Sequence, residues 1–199
     1  MRLLLVSDEE DPWLWDYYRP ENLEGVELIL SAGDLKANYL SFLVTMKNRP
    51  LLYVHGNHDG SYDWEPPEGC ECIDERLVTV HGLRILGLGG CVRYNEGPYQ
   101  YTEQQMAARL RKAERLCRKA GGLDILLTHC PPRGWGDLED PAHLGFACLL
   151  PFLDRWRPKY LIHGHIHQRY GISRSRELLY GSTTILNASG KFFLELPEP

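Results

Sequence analysis

Short apolar segments that end in acidic, amide or histidine side chains recur along this chain, and they constrain its fold more than any other feature. Segments 3–6, 26–30 and 51–54 have the length of buried strands, and each is followed by a polar loop. A helix is predicted over 38–47, and a short helix over 11–25. Strand, polar loop, helix and strand in this order are typical of βαβ units in a parallel sheet.

The second half of the chain combines a hairpin with further strands and helices. His81-Gly82 separates the strand-like runs 77–80 and 83–88 and supplies a two-residue turn, in which the glycine accommodates a positive φ. Thr102 and Gln105 form the capping-box pattern of a helix that should end near residue 120, before two glycines. The remaining elements are predicted as strands over 123–127, 160–163, 176–180, 183–187 and 191–194 and a helix over 146–156. A single domain over 1–199 is expected, because no repeat or linker interrupts the pattern.

Composition narrows the class of protein. The chain has 199 residues, of which 43% are hydrophobic and 25% charged, and its formal net charge is −5. An acidic chain has no general attraction to a nucleic-acid backbone, and no apolar run approaches the ~20 residues that a membrane span needs. The first apolar segment meets acidic residues too early for a signal peptide. Six scattered cysteines lack zinc-finger or redox spacing, so we expect a cytoplasmic protein.

Two histidines, two residues apart, follow the strand predicted over 160–163. In extended backbone the side chains of His165 and His167 point to the same side, and neutral imidazole is a common ligand of first-row transition metals. Other strand ends offer carboxylate, amide and imidazole groups, and such ends meet where ligands bind in α/β sheets. The candidate metal ligands are Asp8, Glu10, Asp34, Asn57, His129, His165 and His167.

Each of these side chains also has an ordinary explanation when it is taken alone. Asp34 is explained as a helix cap, Asn57 as a left-handed turn residue, and His129 as a partner of a backbone carbonyl. Together, three carboxylates, one amide and three imidazoles suit Mn, Fe or Zn better than Ca or Mg. Seven ligands suit two ions that share one carboxylate, and two ions ~3.5–4 Å apart are the usual clamp for phosphoryl hydrolysis.

The order of these groups resembles that of the calcineurin-like metallophosphoesterase superfamily. The pattern of that family is D-x-H, G-D, G-N-H-[DE], H and G-H-x-H, and this chain matches it from Asp8 to His167 except at Glu10. The resemblance implies an α/β fold, a four-layer αββα sandwich of two mixed β-sheets flanked by helices. It favours the small, single-domain branch that includes compact bacterial phosphodiesterases.

The resemblance also implies a role for each matching residue. Asp34 would bridge two ions, and Asp8 and His167 would bind the first ion together with the residue at the third D-x-H position. The second ion would be held by Asn57, His129 and His165. His58 would face the substrate, where it steadies the phosphate or protonates the leaving oxygen, and Asp59 would orient His58.

The departure from the family pattern is Glu10, because the family has histidine there. A carboxylate can still ligate, but it adds negative charge beside Asp8 and Asp34, which favours a harder ion such as Mn²⁺. The alternative is that Glu10 turns away and leaves the first site weak. The neighbouring Glu9 and Asp11 are interpreted as solvated surface charges.

These observations favour a phosphoric mono- or diester hydrolase that acts on a small phosphoester substrate by in-line attack of a metal-activated water. Two divalent ions are implied, with Mn favoured over Fe or Zn. The alternative is a catalytically silent fold that serves as a protein interaction module, for which Glu10 is the best argument. A DNA-processing nuclease uses the same chemistry but needs a track of basic residues along its surface.

Tyrosines at 94, 99 and 101 are candidates for substrate contact or for packing on their own domain. The sequence does not determine the oligomeric state.

Overall fold

The computed structural model describes residues 1–168 and 175–197. The strands in these ranges are β1 (Arg2–Ser7), β2 (Val26–Ser31), β3 (Leu51–Tyr53), β4 (Glu71–Cys72), β5 (Leu77–Val80), β6 (Leu83–Leu88), β7 (Cys91–Val92), β8 (Gln100–Tyr101), β9 (Ile125–Thr128), β10 (Tyr160–His163), β11 (Glu177–Tyr180), β12 (Thr183–Asn187) and β13 (Gly190–Glu195). The helices are α1 (Ala37–Lys47), α2 (Glu103–Ala120) and α3 (Leu149–Trp156), and short 3-10 helices lie at Pro20–Leu23 and Asp59–Asp63.

Most strands belong to two mixed sheets. In the first sheet the order is β13-β1-β2-β3-β4, with β1 to β4 parallel and β13 antiparallel to β1. In the second sheet the order is β11-β12-β10-β9-β6-β5, parallel in the middle and antiparallel at both edges. The strands β7 and β8 form a short parallel pair of their own. Because the inner strands of each sheet are parallel, their carboxyl ends lie at one end of that sheet.

Three apolar clusters define the layers of the molecule. Between the sheets, Leu5 and Leu30 of the first sheet share a cluster with Leu127 and Ile162 of the second. The side chains that alternate with these along each strand point to the outer faces of the sheets. On the outer face of the first sheet they pack against α1, and on the outer face of the second they pack against α2 and α3. This order of helix, sheet, sheet and helix confirms the expected four-layer αββα sandwich. A single domain over 1–199 stays a prediction.

Two local signals have the geometry that their residue types predict. The Thr102 side chain accepts a bond from the N–H of Gln105, and the Gln105 side chain accepts one from the N–H of Thr102, so a capping box begins α2. Gly121 caps the other end with a φ of 73°. The hairpin turn has φ values of 51° at His81 and 80° at Gly82, the signs that a type I′ turn requires.

The segment predicted as a helix over 11–25 forms turns and one 3-10 helix, Pro20–Leu23, instead. The Asp11 carboxylate accepts a bond from the N–H of Trp13 at 2.9 Å, which favours a turn over a helix at the start of the segment. Arg19 is extended, with φ −136° and ψ 146°, as its position before a proline favours. A continuous helix is therefore interrupted at two points.

Other boundaries depend on contacts between distant parts of the chain. The helix α3 begins at Leu149 rather than at residue 146, and the N–H groups of Ala147 and Cys148 donate to the Glu103 carboxylate of α2 instead, at 2.6 and 3.2 Å. The strands β4, β7 and β8 have two residues each and lie where the sequence predicts no strand, because two residues carry no periodic pattern. In the described parts of the chain, no helix has both the length and the apolar character that crossing a membrane requires.

Candidate metal centre

Most of the predicted ligands meet at the carboxyl ends of strands from both sheets. Donor atoms of Asp34, His129 and His165 lie within 4.8 Å of one another. Asp8 accepts a bond from the backbone of His165, and Asn57 contacts the ring of His129. Since Asp8, Asp34 and Asn57 follow strands of the first sheet and the two histidines follow strands of the second, the cluster joins the two sheets.

The ring of His129 is fully buried at the centre of this cluster. Its Nε2 atom lies 3.3 Å from Oδ2 of Asp34 and 3.1 Å from Oδ1 of Asn57. Its Nδ1 atom lies 2.7 Å from the carbonyl oxygen of Ala32, which accepts the proton on that nitrogen and directs Nε2 toward the other ligands. Metal-binding histidines commonly have such a carbonyl behind them.

The charges of His129 and Asp34 depend on each other. Burial lowers the pKa of His129, but attraction and a hydrogen bond to the Asp34 carboxylate outweigh burial and raise this pKa to about 9. Burial raises the pKa of Asp34, but the same pairing with His129 outweighs burial and lowers this pKa to about 2. A positive group is therefore favoured beside the Asp34 carboxylate, and a divalent cation is such a group.

The loop of His165 is joined to Asp8. The backbone N–H of His165 donates to both carboxylate oxygens of Asp8, at 2.9 and 3.0 Å, and its Nε2 atom lies 2.8 Å from the carbonyl oxygen of Ala142. Burial lowers the pKa of His165 to about 3, so its ring is neutral, which is the form that binds metals. Burial also raises the pKa of Asp8, so a bound cation would favour its charged form.

Three residues of the cluster have a left-handed backbone. The φ values are 63° at Asp8, 58° at Asp34 and 69° at His165. Residues other than glycine seldom adopt this region, and conformations of this kind cost about 1–3 kcal/mol each. Strain at three convergent residues is typical of a functional site.

Two glycines of the motifs let the loops approach one another closely. A Cβ atom at Gly56 would overlap the carboxylate of Asp34, and a Cβ atom at Gly164 would overlap Ser7 and crowd the carboxylate of Asp8. Neither position accommodates a larger side chain unless a candidate ligand moves. The packing of the site therefore requires glycine in both motifs.

His58 and Asp59 follow Asn57 on the loop after β3. His58 is exposed, and its N–H donates to Oδ1 of Asp34 at 2.8 Å. The Asp59 carboxylate accepts bonds from the N–H groups of Asp34, at 2.9 Å, and Gly56, at 2.7 Å. Burial, with a further contribution from the Asp34 charge, raises the pKa of Asp59 to about 6. These contacts hold two loops of the site together, and the orientation of His58 by Asp59 stays a prediction.

The two glutamates after Asp8 face different neighbours. Oε2 of Glu10 lies 3.4 Å from Nζ of Lys36, whereas Oε1 of Glu9 lies 3.1 Å from Nδ1 of His167. The structure thus brings Glu9, which the sequence suggests is a solvated charge, to the second histidine of the pair, and it places Glu10 against a lysine. The local sequence has no signal that distinguishes two adjacent glutamates.

Tyr94 reaches the site from the loop between β7 and β8. Nδ2 of Asn57 donates to the Tyr94 hydroxyl at 3.2 Å, and the side-chain oxygen of Gln100 accepts a bond from the Tyr94 N–H at 3.1 Å. Burial raises the pKa of Tyr94, so its hydroxyl keeps its proton at neutral pH. Tyr99 of the same loop stacks on His55, with ring centroids 4.3 Å apart. Of these two tyrosines, Tyr94 contacts a candidate ligand and Tyr99 has a packing role.

Comparison with known proteins identifies the family. The profile of the family described as calcineurin-like phosphoesterase matches residues 9–169, which is most of the chain. The chain belongs to this family. Calcineurin-like phosphoesterases are in general metal-dependent enzymes that act on phosphoesters, and the family uses divalent metals.

The curated relatives that the chain matches here are longer than the chain. UPF0046 protein K07C11.7 of Caenorhabditis elegans is 28% identical over 187 residues, which cover 82% of this chain and 62% of the relative. Metallophosphoesterase domain-containing protein 1 of Homo sapiens is 32% identical over 127 residues, which cover 60% of this chain and 35% of the relative. The chain thus spans less than two thirds of either. The crystal structure of TT1561 from Thermus thermophilus superposes on this chain with a TM-score of 0.62 at 16% sequence identity. The superposition covers 95% of this chain and 89% of TT1561, and at this identity it supports the fold alone.

The donor atoms of this site fit a divalent metal. Asp34, His129 and His165 offer one carboxylate and two imidazoles within 4.8 Å of one another, and Asp8 and Asn57 add oxygen donors beside them. A mixed oxygen and nitrogen set suits Mn, Fe or Zn better than Ca or Mg. The structure therefore has a group of residues that can hold a metal ion, as the family requires.

Proposed function

We propose that this chain hydrolyses a phosphate mono- or diester with the help of two bound divalent ions, of which Mn²⁺ is preferred. The convergence of Asp34, His129 and His165 carries the proposal, because these groups follow three different strands and their donor atoms lie within 4.8 Å of one another. Oδ2 of Asp34 faces His129, which supports Asp34 as the carboxylate that both ions share.

Each ion has its own set of ligands in this proposal. Asp8 and His167 would hold the first ion together with one glutamate of the loop after β1, and Asp34 would be shared. The second ion would be held by Asn57, His129 and His165. Bound ions of this kind supply charge neutralisation for phosphate oxygens and lower the pKa of a water molecule.

The remaining side chains act on the substrate or keep the loops in position. His58 is exposed beside the cluster, and a positioned imidazole transfers protons efficiently at neutral pH, so His58 would protonate the leaving oxygen. Asp59 holds the loop of His58 against Asp34 through two backbone N–H groups. The hydroxyl of Tyr94 accepts a bond from Nδ2 of Asn57, which leaves Oδ1 of that amide facing the site.

Steady-state hydrolysis of bis-p-nitrophenyl phosphate and p-nitrophenyl phosphate by the Mn²⁺-loaded protein tests this function. Asp34→Asn and His58→Ala are each expected to lower kcat/KM at least about 100-fold, because one is the shared ligand and the other the proton donor. The matched controls Asp16→Asn and His81→Ala change exposed residues outside the cluster and should keep full activity. Folded, metal-loaded wild-type protein without turnover on a broad phosphoester panel would contradict the proposal.

A protein interaction module is the second candidate function. The contact between Glu10 and Lys36 favours it, because the glutamate at the position of the family's histidine has a lysine as its partner. A stable complex with another protein, together with the absence of metal-dependent hydrolysis, would support this candidate over the enzyme.

We also propose that the protein works in a reducing compartment such as the cytoplasm. All six cysteines are free thiols, and Cys91, Cys117 and Cys130 are buried, which is typical of a protein whose thiols stay reduced. The net charge of −5 argues against nucleic acid as the substrate. A small phosphoester therefore remains the preferred substrate class.

A further inference from the structure

We propose that Glu9, and not Glu10, is the loop carboxylate that binds the first ion with Asp8 and His167, while Glu10 holds Lys36 beside the site. The inference rests on the proposed two-metal function and refines it. It departs from the family pattern, in which the residue two positions after the aspartate supplies the ligand and Glu10 would be expected to take that role.

The distance between Glu9 and His167 fits two ligands of one ion as well as it fits a hydrogen bond. Oε1 of Glu9 lies 3.1 Å from Nδ1 of His167. Two donor atoms that are each about 2.1 Å from one ion, at right angles, are about 3 Å apart. The two side chains are 22% and 34% exposed, so they lie at the rim of the cluster, where an ion can enter.

The turn after β1 explains why the first glutamate faces the histidines. The Glu9 N–H donates to the Ser7 carbonyl at 2.6 Å around Asp8, whose φ is 63°, and this makes a γ-turn. Alternation of side chains, by which residues i and i+2 share a side, holds only for extended backbone. The turn therefore breaks the alternation, so that Asp8 contacts His165 and Glu9 contacts His167.

The acidic residues after Glu9 have lysines as partners. Glu10 lies 3.4 Å from Nζ of Lys36, and Asp11 lies 2.6 Å from Nζ of Lys191. The Lys36 side chain is 74% exposed, and exposed ion pairs contribute only about 0–1 kcal/mol. The position of each carboxylate, rather than the strength of its ion pair, therefore decides which of them binds the ion.

This assignment gives the first ion mostly oxygen ligands. Asp8, Glu9 and Asp34 supply three carboxylates against the single imidazole of His167. Hard oxygen donors favour Mn²⁺ relative to softer ions, so we expect the first site to discriminate in favour of Mn²⁺ more than the second, histidine-rich site does.

A role of Glu9 behind the ligand is the serious alternative. In that arrangement His167 binds the ion through Nε2, and its Nδ1–H donates to Glu9, which only orients the ring. Glutamine at position 9 can still accept this hydrogen bond through its amide oxygen, but it is a far weaker metal ligand than a carboxylate. The substitution Glu9→Gln therefore separates the two roles.

Calorimetric titration of the purified, metal-free protein with MnCl₂ tests the inference, with the electron paramagnetic resonance signal of free Mn²⁺ as an independent count of bound ions. The wild type is expected to bind two ions. Glu9→Gln should weaken one of them by at least about 10-fold, since a direct ligand matters at least as much as the groups behind it. The matched variants Glu10→Gln and Lys36→Met should keep both affinities within about 3-fold of wild type.

The outcomes separate the inference from the proposed function. Suppose that the wild type binds two ions. The assignment of Glu9 would then be overturned, with the two-metal function left standing, by an unchanged Mn²⁺ affinity in E9Q, by a larger loss of affinity in E10Q than in E9Q, or by equal losses of affinity in both variants. A wild-type protein that is folded by circular dichroism but binds no Mn²⁺ would overturn both. Thermal unfolding of each metal-free variant checks that a lost ion is not a lost fold.

Discussion

Replacement of Arg109 by methionine should destabilise the protein, because Arg109 compensates a buried carboxylate. The Arg109 side chain is 6% exposed, and its Nη2 atom lies 2.6 Å from Oδ1 of Asp74, which is 15% exposed. Its Nε atom lies 2.8 Å from Oε1 of Glu75, and its Nη1 atom donates to the carbonyl oxygen of Gly89 at 2.7 Å. Methionine is also long and largely apolar, so Arg109→Met mainly removes the charge and the hydrogen bonds.

The expected loss follows from the burial of this pair. Removing one partner of a buried ion pair lowers the free energy of unfolding by about 3–5 kcal/mol, and Asp74 would then keep only the more distant His55 ring, 3.9 Å away, and two backbone N–H groups as partners. In a chain of this length each kcal/mol shifts Tm by about 2–4 °C, which corresponds to a decrease of about 6–20 °C.

The loss should also depend on pH. Burial raises the pKa of Asp74, but its hydrogen bond to His55 and the charge of Arg109 outweigh burial and lower this pKa below its ordinary value. A carboxyl group of this kind adds stability above its unfolded pKa, and that stability is lost as the pH falls toward the folded value. The difference between wild type and R109M should therefore narrow below a pH of about 4.

Urea and thermal unfolding of the wild type, R109M, Asp74→Asn and the double variant measure these effects. The double variant should recover much of the loss, because an amide at position 74 leaves no buried carboxylate charge for Arg109 to compensate. Arg115→Met changes an exposed arginine on the same helix and should stay within about 0.5 kcal/mol of wild type. A loss below about 1 kcal/mol in R109M, or a double variant no more stable than R109M, would refute the reasoning.

Three further predictions concern the metal centre. Tyr94→Phe removes the hydroxyl that accepts a bond from Asn57, a contact worth about 0.5–1.5 kcal/mol, and should lower kcat/KM about 2–13-fold in steady-state assays. The exposed control Tyr17→Phe should have no effect. Gly164→Ala should weaken Mn²⁺ binding more than about 10-fold in calorimetry, because the new Cβ atom displaces Ser7 and Asp8, and wild-type affinity in this variant would contradict the packing argument. Mn²⁺ at 100 times its Kd should stabilise the protein by about 2.7 kcal/mol and raise Tm by about 5–11 °C for each ion bound, and EDTA should reverse the shift. A Tm that changes with neither Mn²⁺ nor EDTA would count against a metal site.

Local hydrogen bonding made several elements predictable from the sequence. The capping box of Thr102 and Gln105 and the glycine at 121 mark the two ends of α2, and the turn at His81 and Gly82 joins the two strands of the hairpin. These signals connect residues within four positions of each other, so no knowledge of distant segments is needed. The strand-end motifs were also visible, because apolar runs followed by polar residues identify the loops that carry ligands.

Contacts between distant loops decided the rest. The strands β4, β7 and β8 are too short to have a pattern of their own, and the Asp59 carboxylate contacts backbone groups of two loops rather than its sequence neighbour His58. Tyr94 reaches Asn57 across 37 residues of chain.

The sequence by itself determined the α/β class and the chemical types gathered at the strand ends, because both depend on apolar periodicity and on the identity of side chains, and the four-layer arrangement followed from the family resemblance. Only the tertiary structure decided which glutamate meets the histidine pair. The left-handed backbone at Asp8 ends the alternation of side chains along the strand. Asp8 then contacts His165, which is 157 positions away in the chain, and Glu9 contacts His167, which is 158 positions away. The direction of a side chain after a turn depends on backbone angles, and the packing of distant segments determines these angles. Two adjacent residues of the same type therefore give no indication of which one faces the histidines.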